Sequence, residues 1–328
     1  MKTALMRFCK ALLLLVPIVG MVLFLQSALF YHDDHNAQRF QDFYTEPKNS
    51  LDLVMMGASD MYAGFSPVYA YEYSGLTSYL YASDSNPGSL YLSQLKEILK
   101  QQDPQMIVVE VHGFLYDDEE QHEEAGLRRY VENIPLSFNK LVTLLRHDYE
   151  DDFSSLFPFF KYHSQWTMSA EEMAEKYRGR PGVSTEPSLL KGASTNTSLY
   201  LSEPRYDVSE DDTATPLAPL ALDFLTEFLE YCRSEEIHNV LFLRIPRNLM
   251  NSSQYERYTR SNEVENIVNS YGFDFLDLEQ NVDDVGIEYE YDFYNHEHLN
   301  IYGQQKLTEY LCDVLLDEYA LSPMEQTA

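Results

Sequence analysis

A serine in the first part of the chain and a histidine near its end have the side chains of a nucleophile and its base. Ser59 belongs to the run Gly-Ala-Ser-Asp at residues 57–60, directly after an apolar run at 51–56. His298 belongs to residues 292–303, which lead into an apolar helical pattern. A serine hydroxyl becomes a good nucleophile when a base takes its proton, and neutral imidazole is such a base near pH 7. The two residues therefore predict nucleophilic catalysis if the fold brings them together.

The elements that must position this pair alternate between short apolar runs and helical patterns. The alternation predicts an α/β protein: a flavodoxin-like parallel sheet with helices on both faces, in three α/β/α layers. Predicted strands lie at residues 51–56, 106–111, 240–243 and 273–278, with a possible fifth at 77–82. Predicted helices lie near Pro67 and at residues 87–102, 216–235, 252–271 and 303–319. Because ligands bind at the carboxyl ends of strands in such sheets, Ser59 and His298 are expected at the same edge.

A long insertion, residues 113–215, interrupts this alternation. It opens with an acid-rich stretch, continues with helical patterns near 136–146 and 170–177, and ends in a polar stretch at 180–215. Loops of such length inside a domain are usually functional or partly unstructured. We predict that the insertion is a lid or cap on the sheet, and a solvated surface excursion is the alternative.

The first 31 residues have the pattern of a membrane anchor. Residues 11–30 carry no charge, follow three basic residues and precede two aspartates. About twenty apolar residues span a bilayer core, and the excess of basic residues before them favours a cytoplasmic N-terminus. The sequence therefore predicts a single-pass cell-membrane protein, with residues 1–31 as cytoplasmic N-terminus and transmembrane anchor and residues 32–328 as an extracytoplasmic domain. A cleaved signal peptide is the alternative.

Charge and cysteine content exclude several classes of function. The chain has 53 acidic and 23 basic residues and a net charge of −30, which argues against nucleic acids and anionic lipid surfaces as partners. Cys232 and Cys312 have no zinc-type spacing, and their pairing stays open. We expect no cofactor and no metal; the His-x-His pair of His296 and His298 is the alternative, as a metal grip.

The two motifs together resemble the SGNH (GDSL-like) hydrolase superfamily. The resemblance lies in Gly-x-Ser at residues 57–59 and in His-Leu-Asn-x-x-Gly at residues 298–303. It is closer to the membrane-anchored bacterial branch, which includes proteins similar to those of alginate O-acetylation and teichoic-acid D-alanyl transfer. The likeness covers most of the chain after the anchor, although only its two ends carry chemistry.

The resemblance implies Ser59 as the nucleophile and His298 as the base, with Gly57 permitting the tight turn before the serine. In the superfamily an aspartate precedes the histidine by three residues, and here Asn295 stands in that position. An amide orients an imidazole without supplying charge, and in a serine protease the same exchange lowers turnover about 10⁴-fold. We favour Asp292 as the third member, and a Ser-His-Asn arrangement or an inactive site stays open.

The superfamily's middle motif, Gly-x-Asn, should fall near residues 112–114, where no asparagine stands. Asn86 is predicted to replace it as donor to the oxyanion, together with the backbone N–H groups of Ser59 and Gly113. Asp60 occupies a position where the branch often has histidine. It is predicted either to raise the pKa of a nearby imidazole or to cap the following helix.

The resemblance thus implies a serine esterase or O-acyltransferase. Its substrate would be an acyl ester, with acetyl as the expected group, on an extracytoplasmic glycan or cell-wall polymer, and its partner a membrane-bound O-acyltransferase. A non-catalytic scaffold or polymer-binding protein of the same fold is the alternative, which the asparagine at 295 and the incomplete middle motif favour.

Overall fold

Five short runs of apolar and aromatic residues form one sheet. The strands are β1 (Leu53–Gly57), β2 (Ser78–Ala82), β3 (Met106–Glu110), β4 (Val240–Arg244) and β5 (Asp274–Asp277). Every residue of β1 to β4 is buried, as expected for strands that are covered on both faces. All five predicted strands are confirmed, including the possible fifth. The structure is a computed structural model that describes residues 2–29, 35–147, 152–157, 160, 167, 169–172, 174, 189–204 and 206–324.

All neighbouring strands run parallel, in the order β2-β1-β3-β4-β5. Parallel neighbours need crossover connections, which helices supply here by passing over one face or the other. The order matches that of flavodoxin-like doubly wound sheets, and it reverses between β1 and β3. At such a reversal the connections diverge and leave a crevice beyond the carboxyl ends of the strands, where ligands bind.

Helices cover both faces of the sheet. In chain order they are α1 (Lys2–Leu29), α2 (His35–Phe43), α3 (Ser59–Gly64), α4 (Pro67–Ser74), α5 (Tyr91–Gln101), α6 (Asp118–Gln121), α7 (Glu124–Val131), α8 (Phe138–Arg146), α9 (Asp152–Leu156), α10 (Pro219–Ser234), α11 (Ser252–Ser270), α12 (Val282–Val285) and α13 (Ile301–Asp317). Two 3₁₀ turns lie at Gly88–Leu90 and His112–Leu115. The four long predicted helices are confirmed within four residues at each end. The helix expected near Pro67 is α4, and α3 precedes it and begins at Ser59 itself.

Two separate layers of buried apolar side chains hold the helices on the sheet. One layer contains Phe40, Tyr130 and Phe228 and packs on one face. The other contains Met61 and Leu311 and packs α3 and α13 on the opposite face. Because the helix that begins at Ser59 and the helix that follows His298 share this second layer, packing alone brings their ends close together.

The two cysteines beyond residue 31 lie in different layers. Cys232 is buried in the layer of α10, whereas Cys312 is buried in the layer of α13. Both are free thiols. The possible disulfide between them is therefore absent, because the sheet separates the two side chains.

The described parts of the insertion pack into the domain. Leu127, Tyr130 and Val131 of α7 belong to the same apolar layer as α10. Farther along, the backbone N–H of Leu80 in β2 donates to the Lys191 carbonyl oxygen at 2.9 Å, and the N–H of Tyr200 donates to Phe293 at 2.8 Å. Half of the helix predicted near 170–177 lies outside the described residues. The insertion therefore contributes to the core and borders the carboxyl edge of the sheet.

The N-terminal helix α1 leaves many apolar side chains exposed, among them Leu13 at 73%, Leu14 at 68% and Phe24 at 66%. Among the described residues, no helix combines the length and apolar character required to cross a membrane. The membrane anchor at residues 11–30 therefore stays a prediction from the sequence.

Candidate active site

Ser59 lies at the start of α3, directly after the tight turn that follows β1. Gly57 makes this turn possible, because a Cβ at that position would lie 2.6 Å from Cβ of Glu110. The backbone N–H of Met61 donates to the carbonyl oxygen of Ala58 at 3.2 Å, which begins the helix. Ser59 is half-buried at the carboxyl edge of the sheet, in the crevice that the strand order predicts.

His298 reaches the serine from a short hairpin before α13. An antiparallel bridge between Phe293 and Leu299 closes the hairpin, and the Asn300 side chain caps α13. Nε2 of His298 lies 2.7 Å from Oγ of Ser59, a normal hydrogen-bond distance. The structure therefore brings together the two residues that the sequence assigns as nucleophile and base.

Asn295 lies on the far side of the imidazole. Its Oδ1 is 3.2 Å from Nδ1 of His298 and also accepts the backbone N–H groups of Glu297 and His298, both at 2.8 Å. With Nδ1–H donating to that oxygen, Nε2 is left unprotonated and can accept the serine proton. The ring of Tyr294 stacks beside the imidazole, with centroids 5.5 Å apart and planes 11° apart. The side chain of Asn295 thus fixes the orientation of the His298 ring, and its Nδ2 also lies 3.1 Å from Nδ1.

Asp292 does not take this position, and the preference for it as the third member is wrong. Its Oδ2 accepts the backbone N–H of Glu288 at 2.6 Å and pairs with Nζ of Lys306 at 2.7 Å. The reason is the hairpin geometry. Asp292 stands at the base of the hairpin and faces α13, whereas Asn295 stands at the tip, beside His298.

The predicted oxyanion donors Asn86 and Gly113 are already engaged. Nδ2 of Asn86 donates to the Gly57 carbonyl oxygen at 2.9 Å and to Oε1 of Gln94 at 3.0 Å. The N–H of Gly113 donates to the Tyr91 hydroxyl at 3.3 Å, and a Cβ at Gly113 would lie 2.5 Å from the Asn86 carbonyl oxygen. The prediction that they bind an oxyanion is therefore corrected: the two residues pack the turn after β3 against the turn after β2.

A cluster of buried charges lies behind Ser59 and His298. The Asp60 carboxylate is 2% exposed, with Oδ1 3.3 Å from Nε of Arg247 and 3.9 Å from Nε2 of His298. Its Oδ2 lies 3.6 Å from Nδ1 of His112. Glu110, at the end of β3, accepts the N–H of His112 at 2.6 Å. The cluster therefore joins the ends of β1, β3 and β4.

Burial shifts the pKa of the carboxylates and the histidines in this cluster. It raises the pKa of Asp60, against the opposing charges of Arg247 and His298, and raises the pKa of Glu110 to about 8 with a further contribution from Asp60. It lowers the pKa of His112 well below its usual value. It also lowers the pKa of His298, against the Asp60 carboxylate, which favours the charged ring. A neutral His298 near pH 7 is the form that a general base requires.

The sequence singled out neither Arg247 nor Glu110 for the site. Glu110 gave a usable signal, since a carboxylate that ends an otherwise apolar strand must be paired or hydrogen-bonded when buried. Arg247 lies in the loop after β4, three residues past Arg244 and just after Pro246, where no local pattern marks it. Its role follows only from its distance to Asp60.

These residues offer a poor metal site. Asp60, Glu110 and His112 each place one ligand atom within 4.8 Å of the others. However, Arg247 already supplies a positive charge at Asp60, and both oxygens of Glu110 accept backbone N–H groups. The His-x-His alternative fits no better, because both ring nitrogens of His298 lie within hydrogen-bond distance of Ser59 and Asn295.

A comparison with protein-family models found none that matches the chain, and a comparison with curated proteins found no significant relative. The geometry of the site therefore carries the functional argument.

Proposed function

We propose that this protein is a serine esterase or O-acyltransferase of the SGNH type. The observation that carries the proposal is the 2.7 Å distance between Oγ of Ser59 and Nε2 of His298, with Asn295 orienting the imidazole. The parallel sheet, its strand order and the position of both residues at the carboxyl edge support it. The SGNH resemblance itself rests on the two sequence motifs.

In the proposed reaction Oγ of Ser59 attacks the carbonyl carbon of an ester while its proton moves to Nε2 of His298. The tetrahedral intermediate collapses, the bond to the leaving alcohol breaks, and His298 returns the proton to that alcohol. Water, or the hydroxyl of an acceptor, then attacks the acyl-serine with the same histidine as base. The first acceptor gives hydrolysis and the second gives acyl transfer.

The oxyanion of this intermediate needs hydrogen-bond donors. Asn86 and Gly113 do not supply them, because both donate within the fold. In the described part of the chain, no acceptor binds the backbone N–H of Ser59 or of Asp60, the first two residues of α3. We infer that these two N–H groups bind the oxyanion.

The substrate proposal comes from the resemblance. It is an acyl ester, with acetyl as the expected group, on an extracytoplasmic glycan or cell-wall polymer, and a membrane-bound O-acyltransferase is the proposed donor partner. No cofactor takes part in the proposed reaction.

We also propose that residues 11–30 attach the protein to the cell membrane with residues 32–328 on the outer side. The charge asymmetry around this run and the exposed apolar side chains of α1 support the proposal. Protease added to intact cells should then digest the domain. Full protection, in cells whose known surface proteins are cleaved, would contradict it.

A non-catalytic scaffold that binds a surface polymer is the second candidate. Two observations favour it: an amide stands where the superfamily has a carboxylate, and Asn86 is unavailable to an oxyanion. A fluorophosphonate probe separates the two candidates, since it reacts only with an activated serine. The enzyme predicts labelling of the wild-type protein and none of the Ser59→Ala and His298→Gln variants. No labelling of a folded wild-type protein would support the scaffold.

A further inference from the structure

The proposed base lacks the charged partner that usually accompanies it. When His298 takes the proton of Ser59, a positive imidazolium forms in a half-buried site. Asn295 holds Nδ1 with a neutral amide oxygen at 3.2 Å, which fixes the ring without balancing its charge. If the site is active, a negative charge must come from elsewhere.

Asp60 is the carboxylate in position to supply it. Among the described residues, it is the one acid with an oxygen within 4.0 Å of a ring nitrogen of His298, at 3.9 Å from Nε2. Asp60 follows Ser59 in the first turn of α3, so the same backbone turn fixes nucleophile and carboxylate. Its burial, at 2% exposure, keeps water from screening the interaction.

Burial raises the pKa of Asp60, but two features of its surroundings favour its charged form. Nε of Arg247 lies 3.3 Å from Oδ1, and the first turn of a helix also favours a negative charge. That oxygen nevertheless has no hydrogen-bond partner among the described residues. A buried carboxylate oxygen without a donor is costly, and a second positive charge nearby reduces the cost. Protonation of His298 supplies that charge at the moment of reaction.

Other charged groups also face the imidazole. Arg247 opposes its protonation, whereas Glu297 and Asp84 favour it more weakly than Asp60 does, and the buried His112 lies on the other side of Asp60. Glu297 is 34% exposed and also lies 3.4 Å from Arg247. Solvent screens it, so the fully buried Asp60 is the stronger influence.

We propose that Asp60 is the positioning residue that balances the imidazolium of His298, in the role that a third triad carboxylate plays at the opposite ring nitrogen, while Asn295 only orients the ring. The inference rests on the proposed function. The proton of Ser59 moves to Nε2 and passes from there to the leaving alcohol, and Asp60 remains ionised throughout.

The test uses the full-length protein. It removes the carboxylate near Nε2 of His298 and, in a second variant, places a carboxylate near Nδ1. Asp60→Asn keeps the shape and removes the charge. We expect it to lower the pKa of His298, followed by NMR titration of its ring nitrogens, and to shift the acid limb of the p-nitrophenyl acetate pH profile downward. Turnover should fall by about one to three orders of magnitude. Glu297→Gln is the matched control, with an expected change below about threefold.

The rescue variant is Asn295→Asp. In the Asp60→Asn background it should restore the pKa of His298, because a carboxylate again faces the ring. Turnover of the double variant should be at least about tenfold higher than that of Asp60→Asn alone. In the wild-type background it should gain less than about tenfold, because the charge is already present. This second arm stays informative if Asp60→Asn does not fold. A gain of about a hundredfold or more in the wild-type background would overturn the proposal.

Two results separate this inference from the proposed function. Labelling of Ser59 by the fluorophosphonate probe, with no change in the pKa of His298 in Asp60→Asn, would overturn the role of Asp60 and leave the enzyme intact. A shifted pKa in a protein whose Ser59 never reacts would overturn the catalytic role together with the proposed function.

Discussion

Two turns at the same edge of the sheet differ in how their polar groups are used. The turn after β1 carries Ser59, whose hydroxyl bonds, among the residues that the structure describes, only to a histidine in position to accept its proton. The turn after β3 carries Gly113, whose N–H donates to the Tyr91 hydroxyl and whose carbonyl oxygen accepts from Gln121 at 2.9 Å. The strands that lead into the two turns are paired neighbours. One turn keeps donors and acceptors available to a ligand, and the other uses them within the fold.

The difference shows that position at a sheet edge is not enough to make a residue functional. A group takes part in chemistry when its hydrogen-bonding capacity is left over after folding. Polar groups in the turn after β3 stabilise the fold, so substitutions there should change the free energy of unfolding. Substitutions in the turn after β1 should change turnover.

The largest expected effect is on the reacting groups. Ser59→Ala and His298→Gln should each lower hydrolysis of p-nitrophenyl acetate more than about a thousandfold, because nucleophile and base act as a unit. The double variant should lose no more than either single one. The free energy of unfolding, measured in urea, should change by less than about 1 kcal/mol, because both side chains are only partly buried. A large loss of stability with unchanged turnover per folded molecule would mean that Ser59 and His298 stabilise the fold and do not take part in the reaction.

Gly113→Ala should act on stability. The added methyl would lie 2.5 Å from the Asn86 carbonyl oxygen and 2.6 Å from the Tyr91 hydroxyl, so the backbone must shift. We expect the free energy of unfolding to fall by about 3 kcal/mol, with turnover of the folded fraction nearly unchanged. Urea titration and active-site titration on the same sample measure both quantities. A stable variant with strongly reduced turnover would support the earlier prediction that the N–H of Gly113 binds the oxyanion.

Asn86→Ala separates an oxyanion donor from a structural amide. Its removal leaves the amide of Gln94 and the Gly57 carbonyl oxygen without their partner, which should cost about 2 kcal/mol of stability. Turnover should fall less than about tenfold. A loss of about a hundredfold or more at unchanged stability is what an oxyanion donor would give.

Asp292→Asn tests the hairpin. The change weakens the pairing with Lys306 and leaves the imidazole untouched, so stability should fall by about 1–2 kcal/mol while the acid limb of the pH profile stays in place. Asp223, exposed on α10 at the opposite face of the sheet, offers a matched control as Asp223→Asn. A shifted acid limb in Asp292→Asn would bring this carboxylate back into the catalytic group.

The smallest expected effect is a dependence of the free energy of unfolding on pH. Burial raises the pKa of Glu110 and of Glu279 to about 8, from the ordinary value of 4.5. The folded chain therefore binds more protons than the unfolded chain between these values, so stability falls as the pH rises through 8. From pH 7 to 9 the free energy of unfolding should drop by about 1 kcal/mol for each group, and Glu279→Gln should reduce the drop. Equal stability at both pH values would contradict the expectation.

The fold and the central pair could be predicted because they depend on local patterns. Each buried strand is a short apolar run, and the rule that ligands lie beyond the carboxyl ends of parallel strands brings Ser59 and His298 to one edge. Neither inference needed to know which side chains meet.

The remainder depends on contacts between distant residues. Asn86 looked available because its partner Gln94 lies on the next helix, and their pairing cannot be read from spacing. Asp292 looked suitable because it carries the right charge near His298, but the hairpin turns it toward Lys306. Charge type can be read from a sequence, whereas the direction of a side chain at a hairpin cannot.

The two reacting residues of the site are also synthesised far apart in time. Ser59 and His298 are 239 residues apart, so almost the whole domain must be synthesised and folded before the base reaches the serine. Contacts of such sequence separation form late, because the loop that they close is long. A chain that is still being made, or that is cut before the hairpin with His298, has a serine without a base. On the proposed function, such a chain would be chemically silent until folding is complete.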